Sequence, residues 1–266
     1  ILLIGFFACE NDGNPMVGRS AEVVQNPPLA FSNTQLKEIS KSCVGDSTRC
    51  ARVVLNYPVA RGGNQEARDN INQRIQEAVA TSIGVMGMTE EMTAVKERQT
   101  PQESAQTFVA EYDELYQQED PMVGRGWAIE INGEVLYNGD NWLALELFVY
   151  SYTGGAHPNS YVHLFNFDPQ TGEELMVKDF VTDSLQLQQV IETAIRTKRE
   201  IPADTDLQEA GYFTYDGFVL PQEMAFTAKG LKMIYNAYEI APYALGSIDI
   251  DVATAELRGV KRPADG

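Results

Sequence analysis

Basic residues, histidine and long apolar runs are all scarce in this chain of 266 residues. Lysine and arginine together number 20 against 38 acidic residues, which gives a formal net charge of -18. No basic cluster interrupts this excess, so the chain would repel a phosphate backbone and nucleic acid is not expected as a partner. The acidity is consistent with high solubility, or with attraction of a basic protein or cationic ligand.

The sequence is also poor in the residue types that build metal and catalytic sites. It has two histidines and three cysteines, so a zinc site of the usual kind would need carboxylates for most of its ligands. We therefore expect neither a metal nor another cofactor. The motifs G-x-S-x-G, H-E-x-x-H and the P-loop are missing from the sequence as well. These observations favour a binding protein over an enzyme.

The N-terminal segment predicts export and lipid attachment. Residues 1–8 read I-L-L-I-G-F-F-A, a run too short to span a bilayer but typical of the end of a signal-peptide core. The small residue before Cys9 resembles the processing site of bacterial lipoproteins. We expect residues 1–9 to be a truncated lipoprotein signal that ends at the lipidated Cys9, which holds the protein on a membrane. The alternative is a buried N-terminal strand with an incidental cysteine. Residues 10–30 are expected to be a flexible tether.

The two remaining cysteines, Cys43 and Cys50, flank the turn-rich segment V-G-D-S-T-R. An oxidising compartment would allow them to pair, and closing so short a loop would stabilise the fold by roughly 2–3 kcal/mol. The alternative is a pair of free buried thiols in a cytosolic protein. We expect the disulfide.

In the first half of the chain, apolar periodicity predicts one strand and two helices. The strand covers residues 52–59 and ends near its proline. Residues 64–83 carry apolar side chains at helical spacing, which predicts an amphipathic helix. A second helix is expected to begin after Thr100, where Glu103 completes a capping box.

In the second half, strands come first. Asn132-Gly133 predicts a two-residue hairpin turn. Residues 142–152 predict a long central strand that is apolar on both faces, and residues 160–168 predict its neighbour. A helix is expected to begin near residue 182, and short strands follow within 217–252. The pattern predicts an α+β fold in which an antiparallel sheet packs with helices, as two α+β modules in tandem.

Two segments carry a resemblance to a known family. Residues 151–175 read S-Y-T-G-G-A-H-P-N-S-Y-V-H-L-F-N-F-D-P-Q-T-G-E-E-L, and residues 238–246 read Y-E-I-A-P-Y-A-L-G. Together they resemble the RsiV-like domain, formerly a domain of unknown function. The preceding half, with N-Y-P-V and the helix around Ile71, is similar to the module found before this domain in many members. That module also precedes the deacetylase domain of PdaC.

The resemblance implies a binding protein of the cell envelope, outside the cytoplasm. It places a PdaC/RsiV-like N-terminal module at 31–124, an RsiV-like C-terminal domain at 125–258 and a tail at 259–266. The family includes an anti-sigma factor whose outer domain binds lysozyme, so the implied partner is a basic protein such as lysozyme, or peptidoglycan. The sequence departs from that member because it shows no cytoplasmic sigma-binding segment and no transmembrane helix. It also shows no deacetylase domain with metal ligands, so neither signalling nor deacetylation follows from the resemblance. A cell-wall-active hydrolase or deacetylase is the alternative.

Two loops contain the candidate ligand-binding residues. The paired glycines of G-G-A-H-P-N allow close approach of the backbone, and His157 could donate to a ligand. Tyrosines on the proline-stiffened segment Y-E-I-A-P-Y offer rigid contact area, and Glu239 would suit a basic partner. The alternatives are an ordinary strained connection and a segment that caps the core. His163 is expected to be a packed strand residue. The predicted ligand-binding residues are Tyr152, Gly154, Gly155, His157, Asn159, Tyr238, Glu239, Pro242 and Tyr243.

Overall fold

The structure is a computed structural model that describes residues 28–44, 48–85, 99–118, 125–214 and 219–261. The predicted lipidation site Cys9, the predicted tether up to residue 27 and the predicted module boundary at residue 124 lie outside the described residues. The start of the strand expected near residue 217 also lies outside them. Among the helices of the described ranges, none combines the length and apolar character needed to span a bilayer.

The first layer is a five-stranded sheet with the strand order β1-β2-β3-β4-β5. Strands β2 and β3 run parallel, and the other neighbouring pairs run antiparallel. The sheet therefore contains strands from both sides of residue 124. The strand bounds are Leu29–Ile39 for β1, Ala51–Gly62 for β2, Trp127–Asn138 for β3, Leu143–Tyr152 for β4 and Asn159–Phe167 for β5.

Two helices, α1 (Gln65–Gly84) and α2 (Pro101–Gln117), cover one face of this sheet. The capping box predicted at Thr100 is present: the Thr100 hydroxyl accepts from the Glu103 N–H at 3.2 Å, and the Glu103 carboxylate accepts from the Thr100 N–H at 2.8 Å. Both helices were predicted from the sequence, and the apolar stripe of each faces the core in the structure. The fully buried Trp127 of β3 packs against α2.

Two local contacts fix the first layer. Cys43 and Cys50 form the predicted disulfide, which closes the connection between β1 and β2. The side chain of Asn72 on α1 accepts from the Ala60 N–H at 2.7 Å and donates to the Ala60 carbonyl at 3.1 Å. This amide satisfies both backbone groups of a strand residue, so it joins α1 to the end of β2.

The second layer is a three-stranded antiparallel sheet in the order β6-β7-β8, packed against a helix. The helix α4 begins after Asp183, whose carboxylate accepts from the Gln186 N–H at 3.0 Å, as the sequence predicts. Its residues Leu187, Ile191 and Ile195 are fully buried against the small sheet. The bounds are Val177–Phe180 for the short helix α3, Ser184–Lys198 for α4, Glu223–Phe226 for β6, Gly230–Tyr235 for β7 and Ile248–Ala253 for β8.

The two layers share an apolar contact where β4 and β5 meet β6 and β7. Its buried members are Ala144, Val162, Leu164, Ala225 and Ile234. The two helices α1 and α2 therefore pack on one face of the large sheet, and the small sheet packs on its other face. The predicted α+β class is confirmed.

The predicted hairpin turn at Asn132-Gly133 is wrong. Both residues lie inside β3, where Gly133 pairs with Leu147 of β4. A Cβ atom at Gly133 would lie 2.6 Å from a methyl carbon of Leu147 and 2.6 Å from Cδ of Pro58. The glycine is therefore explained by close packing across the sheet, not by a turn.

The predicted end of β2 near Pro58 is also wrong, because the strand continues to Gly62. Pro58 pairs with Asn33 of β1, while the pairing of β2 with β3 stops at Asn56. One side of β2 is therefore without a strand partner at Pro58, and a residue that lacks an N–H is tolerated in such an edge position.

Candidate functional site

The two loops singled out in the sequence lie against each other. One connects β4 to β5, and the other follows β7 and contains a short 3-10 helix, Tyr243–Leu245. The Tyr243 hydroxyl donates a hydrogen bond of 2.7 Å to the carbonyl of Pro158 in the first loop. This bond joins segments that are 85 residues apart in the chain.

Three rings form a cluster at this junction, which we call the aromatic cluster: His157, Tyr238 and Tyr243. The centroids of the His157 and Tyr243 rings are 4.0 Å apart with an interplanar angle of 25°. The Tyr238 ring lies 5.8 Å from that of Tyr243 at 29°. His157 is exposed, Tyr238 is 57% exposed and Tyr243 is half-buried. The cluster thus presents stacked, rigid rings to solvent, as aromatic contact residues of interfaces do.

His157 has a defined hydrogen-bonding state in its neutral form. Its Nδ1 atom lies 2.9 Å from the Pro158 carbonyl oxygen. Because a carbonyl oxygen can only accept, Nδ1 must carry the proton. The other ring nitrogen, Nε2, is then an acceptor that a ligand donor could reach.

Tyr238 has a backbone conformation that non-glycine residues rarely adopt. Its φ is 74°, in the left-handed region, which costs about 1–2 kcal/mol for an L-residue. The turn is held by the Tyr238 N–H, which donates to the Ala241 carbonyl at 3.1 Å, and by the Glu239 N–H, which donates to the Asn236 carbonyl at 3.1 Å. Backbone strain of this kind is concentrated at functional sites, where the position of a side chain matters more than the stability that the strain costs.

Glu239 adds an acidic group beside the aromatic cluster. Partial desolvation raises the pKa of its carboxyl, and the nearby Glu223 carboxylate raises the pKa further, whereas hydrogen bonds from Asn236 lower it. The net pKa lies above the ordinary value of a glutamate. Glu239 nevertheless remains exposed, so its carboxylate is accessible to a cationic partner.

The other predicted residues lie around the cluster. Tyr152 ends β4, and its hydroxyl donates to the Gly155 carbonyl at 3.1 Å. Gly154 has a φ of 88°, which accounts for the glycine there. Exposed Asn159 begins β5, and Pro242 precedes the 3-10 helix. The structure places all nine residues in two adjoining segments, and their role in ligand binding stays a prediction.

A second polar cluster surrounds His163 of β5. Its Nδ1 lies 3.1 Å from a carboxylate oxygen of Glu223, and the other oxygen of that carboxylate accepts from the Leu164 N–H at 2.6 Å. His163 and Glu223 line a cavity of about 150 Å³. Arg74 and Glu174, which form an ion pair of 2.5 Å, line the same cavity. Sequence reasoning placed His163 in a packed strand but missed Glu223, since a partner 60 residues away leaves no local signal.

Among the described residues, no three histidine, cysteine, aspartate or glutamate side chains lie together in an arrangement that could hold a metal ion.

Two family models match consecutive parts of the chain. Residues 44–160 match the model described as "Deacetylase PdaC", and residues 175–255 match the model described as "Protein of unknown function (DUF3298)". The first part of the chain is therefore similar to the PdaC model, and the second part is similar to the DUF3298 model. The first region ends within β5, so it contains β2 to β4 of the large sheet, and the second contains the whole small sheet.

Solved structures of the DUF3298 family share this fold. One, from Bacteroides fragilis, is 18% identical with a TM-score of 0.67, and the match covers 90% of this chain and 96% of the other. Another, from Pseudomonas aeruginosa PAO1, is 19% identical with a TM-score of 0.61, covering 89% of this chain and 96% of the other. At such identities the likeness establishes the fold alone. No curated relative matches the chain. The RsiV-like assignment stays a prediction.

Proposed function

We propose that this chain is an extracytoplasmic protein of the cell envelope that binds a basic protein ligand, of the lysozyme kind, through the aromatic cluster. The observation that carries the proposal is the stacking of His157, Tyr238 and Tyr243 on an exposed junction between the two predicted loops. Rigid rings with polar tips give large contact area at low cost in conformational entropy.

Two further features support the proposal. The Cys43–Cys50 disulfide is typical of a protein that folds in an oxidising compartment. The net charge of -18 and the exposed Glu239 complement a basic partner and would speed its association. The predicted lipoprotein signal at Cys9 would place the chain on a membrane, and this anchor belongs to the proposal.

The proposal is tested by measuring the affinity of the chain for hen-type lysozyme and for purified peptidoglycan at several salt concentrations. We expect saturable lysozyme binding that weakens with salt, because exposed charges are screened. Tyr243→Ala should weaken it at least ten-fold, and His157→Ala by a smaller factor, since interface hot spots are dominated by well-packed aromatic anchors. Tyr243→Phe keeps the ring but loses the hydrogen bond to Pro158. Comparing its affinity with that of Tyr243→Ala therefore separates the contribution of the ring's contact area from the contribution of loop positioning.

Leu185→Ala serves as the matched control, because Leu185 is 71% exposed and lies on α4, outside the two loops of the cluster. It should bind like the wild type. If Tyr243→Ala and His157→Ala both fold and bind lysozyme with wild-type affinity, the site assignment is wrong. Saturable binding to peptidoglycan alone would replace the protein ligand with a cell-wall ligand.

A cell-wall hydrolase or deacetylase is the second candidate. The description of the model that matches residues 44–160 favours it, and the pairing of His163 with Glu223 beside a small cavity gives it a possible location. A carboxylate that holds Nδ1–H would leave Nε2 of the ring free to accept a proton. Turnover of purified peptidoglycan that Glu223→Gln abolishes would support this candidate, and no turnover by the wild type would remove it.

A further inference from the structure

The first strand, β1, forms one edge of the large sheet along its whole length of 11 residues. It pairs with β2 on one side, and within the described ranges no strand pairs with it on the other. The strand contains no proline or glycine, and its two charges, Lys37 and Glu38, have opposite signs. It therefore carries few of the features that protect the edges of natural sheets from pairing with another chain.

The pairing with β2 determines which backbone groups of β1 face outward. In an antiparallel pair, alternate residues direct their N–H and C=O groups to opposite edges of the strand. The Ser40 N–H donates to the Ala51 carbonyl of β2 at 2.9 Å, and this pair continues the unbroken register of the two strands. The even-numbered residues of β1 therefore face β2. The outward residues are Phe31, Asn33, Gln35, Lys37 and Ile39.

The outer edge of β1 is occupied at both ends and open between them. The Leu29 carbonyl accepts from the Asn138 side chain at 3.0 Å, and the Lys41 N–H donates to the Asp113 carboxylate at 2.8 Å. Between these two contacts, no described residue forms a hydrogen bond with the outward backbone groups of residues 31–39. Four of the five outward residues also have exposed side chains: Asn33, Gln35, Lys37 and Ile39. This stretch is therefore accessible to a further strand.

The side chains of the open stretch are complementary to a second copy of the same stretch. In an antiparallel pair about a two-fold axis at Gln35, Phe31 of one copy lies opposite Ile39 of the other. Asn33 lies opposite Lys37 in the same arrangement. Apolar side chains thus meet apolar ones, the lysine meets an amide, and neither charge of the strand meets a like charge. Pairing would also cover Ile39, which is 52% exposed.

Other registers of the same pairing fit less well. An axis at Lys37 would set two lysines directly opposite each other, which is destabilising. An axis one residue to either side of Gln35 would set an end of the stretch opposite Leu29 or Lys41, whose backbone groups are already bonded. With the axis at Gln35, all five outward residues pair with one another, and each pair can exchange two backbone hydrogen bonds.

We propose that this chain forms a dimer in which the β1 strands of two copies pair antiparallel about a two-fold axis at Gln35. The two large sheets then join into one continuous sheet, and the helices α1 and α2 of both copies cover one face of it. The dimer goes beyond the function proposed above and does not depend on it, since β1 lies outside both loops of the aromatic cluster.

The first test measures the mass of the full chain in solution by sedimentation, from micromolar to millimolar concentration. We expect an equilibrium between the 29.5 kDa chain and a species of twice that mass. Each copy carries a formal net charge of -18, so added salt should strengthen the dimer by screening the repulsion between copies. Hydrogen exchange at the outward amides of residues 31–39 should slow as the dimer forms. A chain that remains monomeric at millimolar concentration overturns the proposal.

Substitutions at Gln35 test the position of the axis. Gln35→Lys sets two cations opposite each other, so the dissociation constant of the dimer should rise at least ten-fold, and Gln35→Glu should act similarly through two carboxylates. Mixing the two variants should restore association, because a lysine then lies opposite a glutamate. Gln170→Lys is the matched control, since it makes the same change at an exposed turn residue outside β1 and should dimerise like the wild type.

Gln35→Pro tests the backbone pairing itself. Proline is tolerated in an edge strand where the N–H does not pair within the sheet, so the variant should fold, which circular dichroism checks. Loss of an outward N–H at the axis should raise the dissociation constant at least ten-fold. The proposal is overturned if all three Gln35 variants dimerise like the wild type, or if the mixture of Gln35→Lys and Gln35→Glu associates no better than either variant alone.

Discussion

Two asparagines, Asn166 of β5 and Asn236 after β7, join the facing edges of the two sheets with their side-chain amides. The Asn236 amide accepts from the Val162 N–H at 2.8 Å and donates to the Val162 carbonyl at 3.1 Å. Asn166 makes the equivalent pair of bonds to β6, with the Met224 carbonyl at 2.7 Å and the Phe226 N–H at 2.9 Å. Side-chain amides thus satisfy backbone groups where the two sheets meet, which also protects the β5 edge from pairing with another chain.

An ion pair between the sheets gives a prediction for single residues. Lys232 of β7 lies 2.6 Å from Glu146 of β4, and both side chains are mostly buried. Burial lowers the pKa of Lys232, but the Glu146 carboxylate and the aspartates of β8 raise it by more, so the net pKa lies above the ordinary value. Lys232→Met should lower the free energy of unfolding by about 2–4 kcal/mol, because it leaves Glu146 uncompensated.

Urea denaturation of the single variant and of the double variant Lys232→Met, Glu146→Gln measures this effect. The double variant should regain a large part of the lost stability, since no buried charge remains without its partner. Equal losses in both variants would show that packing, not charge, accounts for the effect of Lys232.

Glu239 gives a pH-dependent prediction. Its folded-state pKa is raised, so the folded protein holds the proton more tightly than the unfolded chain does. Stability therefore falls as the pH rises from the unfolded pKa of about 4.3 through the folded value. Glu239→Gln should raise the melting temperature at pH 7, and the gain should disappear as the pH approaches about 4.

Thermal melts across this pH range, with Glu134→Gln as an exposed control, measure the prediction. A gain for Glu239→Gln that is the same at every pH would contradict it, because the gain would then come from something other than ionisation.

At the scale of elements, β3 depends on a glycine in its middle. Gly133→Val would place methyl groups where Leu147 and Pro58 already lie, since even a Cβ there would be 2.6 Å from each. We expect a loss of about 1–3 kcal/mol in the free energy of unfolding, typical of overpacking. Gly155→Ala is the matched control, because a Cβ there meets no atom within 4 Å.

Chemical denaturation of the two glycine variants provides the comparison. Gly155→Ala should be close to neutral, since the φ of Gly155 lies outside the left-handed region. If Gly133→Val were as stable as the wild type, the neighbouring side chains would have to move freely, and the glycine would need another explanation.

At the scale of the molecule, the large sheet joins strands that are far apart in sequence. β2 pairs in parallel with β3, across the residues of α1 and α2, and the core under these helices includes Trp127 and Leu147 from the later strands. Residues 28–124 expressed alone would keep both helices but lose β3 to β5. We expect this fragment to lack a cooperative unfolding transition, because the apolar faces of its helices would be largely uncovered.

Circular dichroism and thermal melting of the fragment, beside the full chain, provide the measurement. A sigmoidal melt with native-like helix content would contradict the expectation and would support an independent module at 31–124.

The sequence by itself determined the local features of this protein. The helix that begins after Thr100, the helix after Asp183 and the Cys43–Cys50 disulfide all follow from residues a few positions apart. The α+β class was predicted as well, because apolar periodicity separates helices from strands. The strand β1 was missed, since Leu29 is its one buried residue and the rest of this edge strand is mostly polar.

Only the tertiary structure decided which distant residues meet. The stacking of His157 on Tyr243, the partner of His163 and the place of Gly133 inside a strand all depend on segments that are separated by tens of residues. A glycine or histidine has the same local signature in a turn and in a packed strand. Sheet order and the packing of one layer on the other distinguish the two, and these depend on the free energy of the whole core rather than on any short window of sequence.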